Sequence, residues 1–483
     1  MKNFGDLLRT YIEKSGYSIY GLAKKADINR TTLQKILSGD RTPSSAILNK
    51  LLLFLKLTPA ENDELFSLIE RMETGEELYT QRRLIKNMLE SYPHVSAGSV
   101  GDDSPYNGSV QELPPGHQLY YGSHQVEMLL STFLQHECLR EYPSMKINAP
   151  ADTSLFHHTL FYSRKHCQHW EQLHVQHIIC LLKTGSSGTV PSININSLGY
   201  VLPLLSISGL VYDMFYYYDS SVMTDAARTA FPYYVLFSDA VVLLTADCQT
   251  AMPFYEKHIL QHFHNLYDLG LQNTAALIQK LIRAEDILPY FIEADLNNFP
   301  LYSLEFQPCF CTFLTEDILF KYAEDDIPNR PATAESLMVR ARQLYDLSSH
   351  TCIFSKAGLL DFAERGYLAD IPPAYMRPLD VPDRIYFLKS LYEEIASGRQ
   401  EHRMVNPLNF PISEQVICAL HQNTALDFNC FSARDSSYNY IHIVEPTLLD
   451  AFANFFQYLS SSSLVYSRQD TMKAIEDCIR NLR

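Results

Sequence analysis

Three observations predict a small all-α domain followed by a large mixed α/β region. Apolar residues recur at helical spacing through residues 1–72. A stretch of small and polar residues, 95–117, has a composition that cannot bury a core. Beyond it, runs rich in aromatic and β-branched residues alternate with amphipathic helical patterns. With 483 residues the chain is too long for one core. The divisions read from the sequence are 1–72, an all-α five-helix domain; 73–117, a helical connector and flexible linker; 118–272, a first α/β (α+β) unit; and 273–483, a second unit ending in helices.

In the first domain, Phe4, Leu7, Leu8, Tyr11 and Ile12 give an opening helix, and Gly16 supplies the left-handed residue that ends it. Ser18 is a cap for a second helix carrying Leu22, Ala23 and Ala26, where the short Ala23 lets a crossing helix come close. Asp27-Ile28-Asn29 makes a turn, and Asn29 caps a third helix, Arg30 to Leu37, with Leu33, Ile36 and Leu37 on its inner face. Ser38-Gly39 stops it. Ser44 or Ser45 opens a fourth helix, and Thr58-Pro59-Ala60-Glu61 is a capping box for a fifth.

A charged helix, Glu76 to Ser91, forms the connector. The linker follows, with Asn107-Gly108 and Pro114-Pro115-Gly116 as its turn signals. In the large region, helices are expected at Ser123 to Glu141, Pro253 to Leu269, Pro382 to Ser397 and Thr447 to Leu459. Strands are expected at Met145 to Pro150, Val175 to Lys183, Leu210 to Tyr218, Tyr233 to Phe237 and Val241 to Thr245, then near Arg403 to Val405, Gln415 to Ala419, Leu426 to Phe431 and Tyr438 to Val444. Both halves run helix, strands, then a long helix rich in aromatic residues. That order suggests two similar units, although no residue-level identity accompanies it.

Charge is unevenly spread. Residues 1–58 hold ten lysines and arginines against four acids, a net +6, whereas the chain as a whole is −16. A basic head on an acidic body points to a polyanionic partner for the head alone. The start of the chain lacks the basic and apolar pattern of a signal peptide, and none is expected. The apolar stretch Leu198 to Val211 is too short for a membrane span and reads as buried core. Ten scattered cysteines without a CxxC fit reduced thiols in the cytoplasm.

The segment Leu22-Ala23-Lys24-Lys25-Ala26-Asp27-Ile28-Asn29-Arg30-Thr31-Thr32-Leu33, followed by Ile36-Leu37-Ser38-Gly39-Asp40-Arg41-Thr42-Pro43-Ser44, resembles the Xre, or lambda-repressor-like, helix-turn-helix family. The resemblance covers residues 3–71. Asp27 departs from the Gly that the family often has there, and Leu37 from a frequent Glu. The resemblance implies that the third helix enters the major groove of duplex DNA, where base pairs differ in their donors and acceptors. Arg30, Thr31 and Lys35 then match base-reading positions, with Gln34 beside them and Asn29 at the cap. Ser18, Ile19, Thr32, Ser38, Arg41 and Ser44 match positions that approach phosphate.

Other constellations carry less. His157, His158, His166, Cys167, His169, His174 and His177 are metal-ligand residue types in one short stretch, but their spacing matches no standard site. His258 and His262 have the spacing of a ligand pair on one helix face, with His264 nearby. Phe215 to Tyr218 with Tyr233 and Tyr234 suit a sheet core or a ligand pocket. Glu293, Asp295 and the run Glu324 to Asp326 read as solvated faces. The paired α/β units behind a DNA-binding head resemble phospholipase D-like architectures, but His-x-Lys-x4-Asp is absent, as are the phosphate-loop, dinucleotide and nucleophile-elbow motifs. No catalytic residue, metal or cofactor is expected.

The sequence therefore points to a regulator that binds double-stranded DNA through residues 1–72. One such domain contacts few base pairs, so a homodimer spanning two half-sites is expected. A small-molecule or peptide effector of the large region, and no membrane partner, complete the expectation. The alternatives are an enzyme or defence protein whose head serves autoregulation or targeting, and an assembly module acting through protein contacts alone.

Overall fold

The computed structural model describes residues 4–43, 45–92, 112–184, 190–205, 210–219, 230–281, 300–325, 327, 330–347, 349–371, 375–414, 416–421, 423–432 and 437–482. The chain divides into two compact units, Met1–Arg83 and Leu84–Arg483.

The first unit is helical: α1 (Phe4–Lys14), α2 (Ile19–Lys25), α3 (Arg30–Leu37), α4 (Ser45–Leu55) and α5 (Pro59–Thr74), with the start of α6 (Glu76–Ser91). Its core gathers one apolar stripe from each of the first five, among them Leu8, Leu22, Leu33, Ile36, Leu51 and Leu65. Gly16 ends α1 at φ 75° and Asp27 takes φ 52° between α2 and α3, a conformation that a short polar side chain tolerates. The Thr58–Glu61 capping box closes reciprocally. Tyr11 donates to Glu64 at 2.7 Å and so ties α1 to α5. The later half of α6 belongs to the second unit, where Ile85, Met88 and Leu89 are buried. Of the expected linker, 95–111 lies outside the described residues.

The second unit holds two sheets. The first comprises β1 (Tyr120–Tyr121), β2 (Ser144–Asn148), β3 (His174–Leu181), β4 (Val211–Tyr218), β5 (Tyr233–Leu236), β6 (Val241–Leu244), β7 (Thr250–Phe254) and β8 (Ala275–Ala276). Its order is β1-β7-β6-β5-β2-β3-β4-β8; β2, β3 and β4 are parallel, and β5, β6 and β7 form an antiparallel meander from β2. The second sheet comprises β9 (Ile278–Leu281), β10 (Leu301–Glu305), β11 (His350–Phe354), β12 (Glu401–Met404), β13 (Ile417–His421), β14 (Ala425–Ser432) and β15 (Ser437–Ile443). Its order is β12-β11-β10-β13-β14-β15-β9; β10, β11 and β12 are parallel, and β13, β14 and β15 form an antiparallel meander from β10. Leu277 alone separates β8 from β9; its amide donates to the Met214 carbonyl at 2.8 Å and its side chain is buried.

The helices of this unit are α7 (Ser123–Glu137), α8 (Ser154–Ser163), α9 (Ser192–Leu205), α10 (Lys257–Leu271), α11 (Glu316–Tyr322), α12 (Arg330–Asp346), α13 (Lys356–Arg365), α14 (Val381–Ser397), α15 (Pro446–Ser461) and α16 (Arg468–Asn481). Among the described residues no helix is long and apolar enough to cross a membrane. The two faces of the second sheet differ, as a pleated strand requires. The row Ile353, Leu304, Cys418, Phe428 and Ile441 enters the large core. The next row, His402, Cys352, Ser303, Ala419, Asp427 and His442, turns buried polar groups to the other side.

The strands read from sequence form with ends shifted by a residue or two. The helix expected from Pro253 opens instead at Lys257, because Pro253 and Phe254 complete β7 against Val242 and Val241. Ser123 to Glu141 ends as a helix at Glu137. The apolar stretch from Leu198 divides between α9 and β4, with 206–209 outside the described residues.

Candidate nucleic-acid interface

Two caps and a left-handed turn set the geometry of α2 and α3. The Ser18 hydroxyl accepts from the Gly21 amide at 3.1 Å, and Asn29 Oδ1 accepts from the Thr31 amide at 2.8 Å. Leu22 and Ala23 are buried on α2 and Leu33, Ile36 and Leu37 on α3. Helical spacing then turns Arg30, Thr31, Gln34 and Lys35 to solvent, all four exposed, with Thr32 half-buried at the margin. An apolar inner face therefore fixes the helix, and a basic, hydrogen-bonding outer face is left to meet a partner.

The remaining expected residues surround this helix. Ser18 and Asn29 are exposed caps, and Ile19 is half-buried at the start of α2. The Ser38 hydroxyl donates to Asp40 at 2.6 Å and lies near the Lys35 carbonyl, so it is engaged within the turn. The Arg41 amide donates to the Lys35 carbonyl at 3.1 Å, which fixes its backbone while its side chain stays exposed. Ser44 lies outside the described residues. The sequence reading passed over Tyr20, which is 61% exposed beside Ile19 and presents a hydroxyl on an apolar ring. Its signal was an aromatic residue off the apolar stripe. Lys25 donates to the Tyr17 hydroxyl at 3.1 Å and adds a second basic group with an aromatic neighbour.

The other sequence constellations do not converge. His158 meets Glu127 at 3.1 Å from α8, His174 meets Asp213 at 2.7 Å on the sheet, and His177 is buried between the Tyr212 hydroxyl and the Ala149 carbonyl. None of the seven residues from His157 to His177 belongs to a described set of three donor atoms within one ion's reach. His258 and His262 are exposed on α10 and have no third donor among the described residues. Phe215 and Tyr234 pack in a small core with Phe254, Ile259 and Phe263, so this part of the aromatic cluster fills a sheet face. Glu324 is half-buried and Asp325 pairs with Arg330; Glu293, Asp295 and Asp326 lie outside the described residues.

Residues 8–62 match the helix-turn-helix family. The N-terminal region is therefore a helix-turn-helix of the Xre or lambda-repressor-like type, and the match ends well short of the second unit. No curated protein matches the chain in sequence. Among solved structures, the phosphatidylserine synthase of Haemophilus influenzae Rd KW20 aligns over 75% of this chain and 93% of its own, at 9% identity and a TM-score of 0.25. A likeness at that level carries no argument about fold or activity.

Proposed function

We propose that the chain is a sequence-specific, DNA-binding transcriptional regulator. The observation that carries this reading is the division of α3 into a buried apolar face and an exposed face of Arg30, Thr31, Gln34 and Lys35. Arg30 and Lys35 suit guanine O6 and N7, Thr31 suits a thymine methyl, and Ser18, Thr32 and Arg41 suit the backbone. The chain acts as a homodimer, because a single small head leaves specific binding weak.

The second unit is assigned to pairing two chains and to sensing an effector, without catalysis. In this reading it is a duplicated α/β unit. The matching plans support the duplication: three parallel strands, an antiparallel meander and a long helix occur once as β2 to β7 with α10 and again as β10 to β15 with α15. Free thiols at Cys138, Cys248, Cys352 and Cys418 fit work in the reducing cytoplasm.

Genome-wide mapping of bound DNA in the source organism tests the reading. A set of discrete sites sharing a two-fold sequence is expected. Uniform occupancy, unchanged when Arg30 and Lys35 are replaced, overturns it.

A further inference from the structure

The sheet face turned away from the large core carries Glu305 at the end of β10. Directly after that strand the chain bends through Cys309 into a short 3-10 turn, Phe310–Phe313. Asp370 arrives from a different part of the chain, the loop that follows α13. A carboxylate oxygen of Glu305, the Cys309 Sγ and a carboxylate oxygen of Asp370 all lie within 4.8 Å of one another. Glu305 is 5% exposed, Cys309 7%, and Asp370 is half-buried.

We infer that Glu305, Cys309 and Asp370 form a binding site for one divalent transition-metal ion, with zinc(II) the ion that the donors fit best. The spacing suits a shared ion, since zinc–sulfur contacts of about 2.3 Å and zinc–oxygen contacts of about 2.0–2.2 Å call for only a small closure of the three side chains. The charge also fits. Without an ion, burial pushes the Glu305 carboxyl and the Cys309 thiol well above their ordinary values. With one bound, two carboxylates and a thiolate would bring three negative charges into the interior, where Arg340 is a positive side chain acting on both carboxyls. A divalent ion beside Arg340 brings the group to neutrality, where an uncompensated buried charge is costly.

Donor chemistry narrows the ion. A thiolate selects zinc over the hard ions magnesium and calcium, which take oxygen alone. The Cys311 amide hydrogen-bonds Asp370, an outer contact of the kind that orients a metal-binding carboxylate. Three protein donors leave a fourth position for water or an incoming ligand. The site adds a metal to a chain whose sequence spacing pointed to none, and its consequence is local: the ion staples the end of β10 to the loop after α13.

The test uses the full-length protein, produced with added zinc, dialysed into metal-free buffer and analysed by elemental mass spectrometry. The metal-stripped protein is then titrated with zinc against a chromophoric chelator, and with cobalt(II) to reveal a thiolate charge-transfer band. Close to one zinc per chain is expected, with binding weakened at least about tenfold in Cys309→Ser and Asp370→Asn and unchanged in Cys180→Ser. The cobalt band should vanish in Cys309→Ser. Should that variant not fold, the near-isosteric Glu305→Gln provides the comparison of zinc affinity, and the cobalt band of the wild type itself reports the thiolate. A wild-type protein that takes up no stoichiometric zinc, or folded variants that bind it as tightly as wild type, overturns the inference.

Discussion

A β-carbon on Gly5 would lie 2.4 Å from the carbonyl oxygen of Leu37. The first turn of α1 therefore rests directly on the backbone at the end of α3, and this contact helps to fix the tilt of the helix that presents Arg30 and Lys35. A backbone carbonyl cannot swing aside as a flexible side chain would. Gly5→Ala is expected to destabilise the first unit by about 1–3 kcal/mol, the usual cost of overpacking. Thermal melts and DNA affinity check it; an unchanged melting temperature would separate Gly5 from the placement of α3.

Arg30→Ala and Lys35→Ala each remove a charged donor from the exposed face of α3 while leaving its buried face intact. Each should cost roughly 1–3 kcal/mol of specific binding and relax the preference at one base position. Fluorescence anisotropy on the mapped operator and its single-base variants provides the measurement. Uniform weakening across all sequences would move these residues from base reading to phosphate contact.

A fragment of residues 1–92 retains the whole of α6 and the core of the first unit. Without the remainder it should bind the operator at least about tenfold more weakly than the full chain, because only a paired molecule engages both half-sites at once. Equal affinities in a gel-shift titration would refute the dimer.

The second unit should lose stability as the solution turns acidic. Burial drives the His350 imidazole down to about 4, His402 to about 3 and His421 to about 4, with Asp427 opposing the shift at His421. His350 is held neutral between the Ser303 hydroxyl and Gln400 Oε1, while the Gln400 amide nitrogen donates to the Leu344 and Leu347 carbonyls. Among the described residues neither ring nitrogen of His402 has a hydrogen-bond partner. In the unfolded chain these imidazoles take up protons near pH 6.5, in the folded chain only near 4 or below. Their contribution is complete above pH 6.5 and declines as pH falls toward 4, by roughly 1 kcal/mol per pH unit for each imidazole. Urea unfolding at pH 7 and pH 5 tests this; an equal midpoint for the second unit at both would contradict it.

Glu445 is fully buried at the start of α15, where it accepts from the Thr447 and Leu448 amides and the Thr447 hydroxyl, and pairs with the Tyr218 hydroxyl of the first sheet. Asn194 of α9 donates to that same Thr447 hydroxyl at 2.9 Å. Glu445→Ala leaves several buried donors unmatched, and a loss of about 3 kcal/mol or more is expected. Calorimetry of the full chain measures it, and a loss below about 1 kcal/mol would mean that water replaces the carboxylate.

What the sequence made legible was local. Gly16, Ser18, Asn29 and the Thr58–Glu61 pair each act within three or four residues of themselves, so the first helices follow from spacing, while the outward residues of α3 came from the resemblance to the Xre family. The strands from Met145 to Thr245 announced themselves through aromatic and β-branched runs. By contrast β10 and β11 are only five residues long and mix polar with apolar side chains, and α11, α12 and α13 between and after them were not assigned. The grouping of Glu305 and Cys309 with Asp370 depends on how a distant loop returns to a strand end. The histidines from His157 to His177 show the converse, being close in the sequence without a shared site. Closeness along the chain placed them on a helix, a loop and a strand whose side chains diverge.

Leu277 gives the second unit a mechanical property. One residue joins the outermost strand of one sheet to the outermost strand of the other, and that residue is itself pinned by backbone and side chain. There is no slack at the joint. Displacement of either sheet's margin therefore pulls on its neighbour at this residue, alongside the shared apolar core and the Glu445–Tyr218 contact that also join the two sheets.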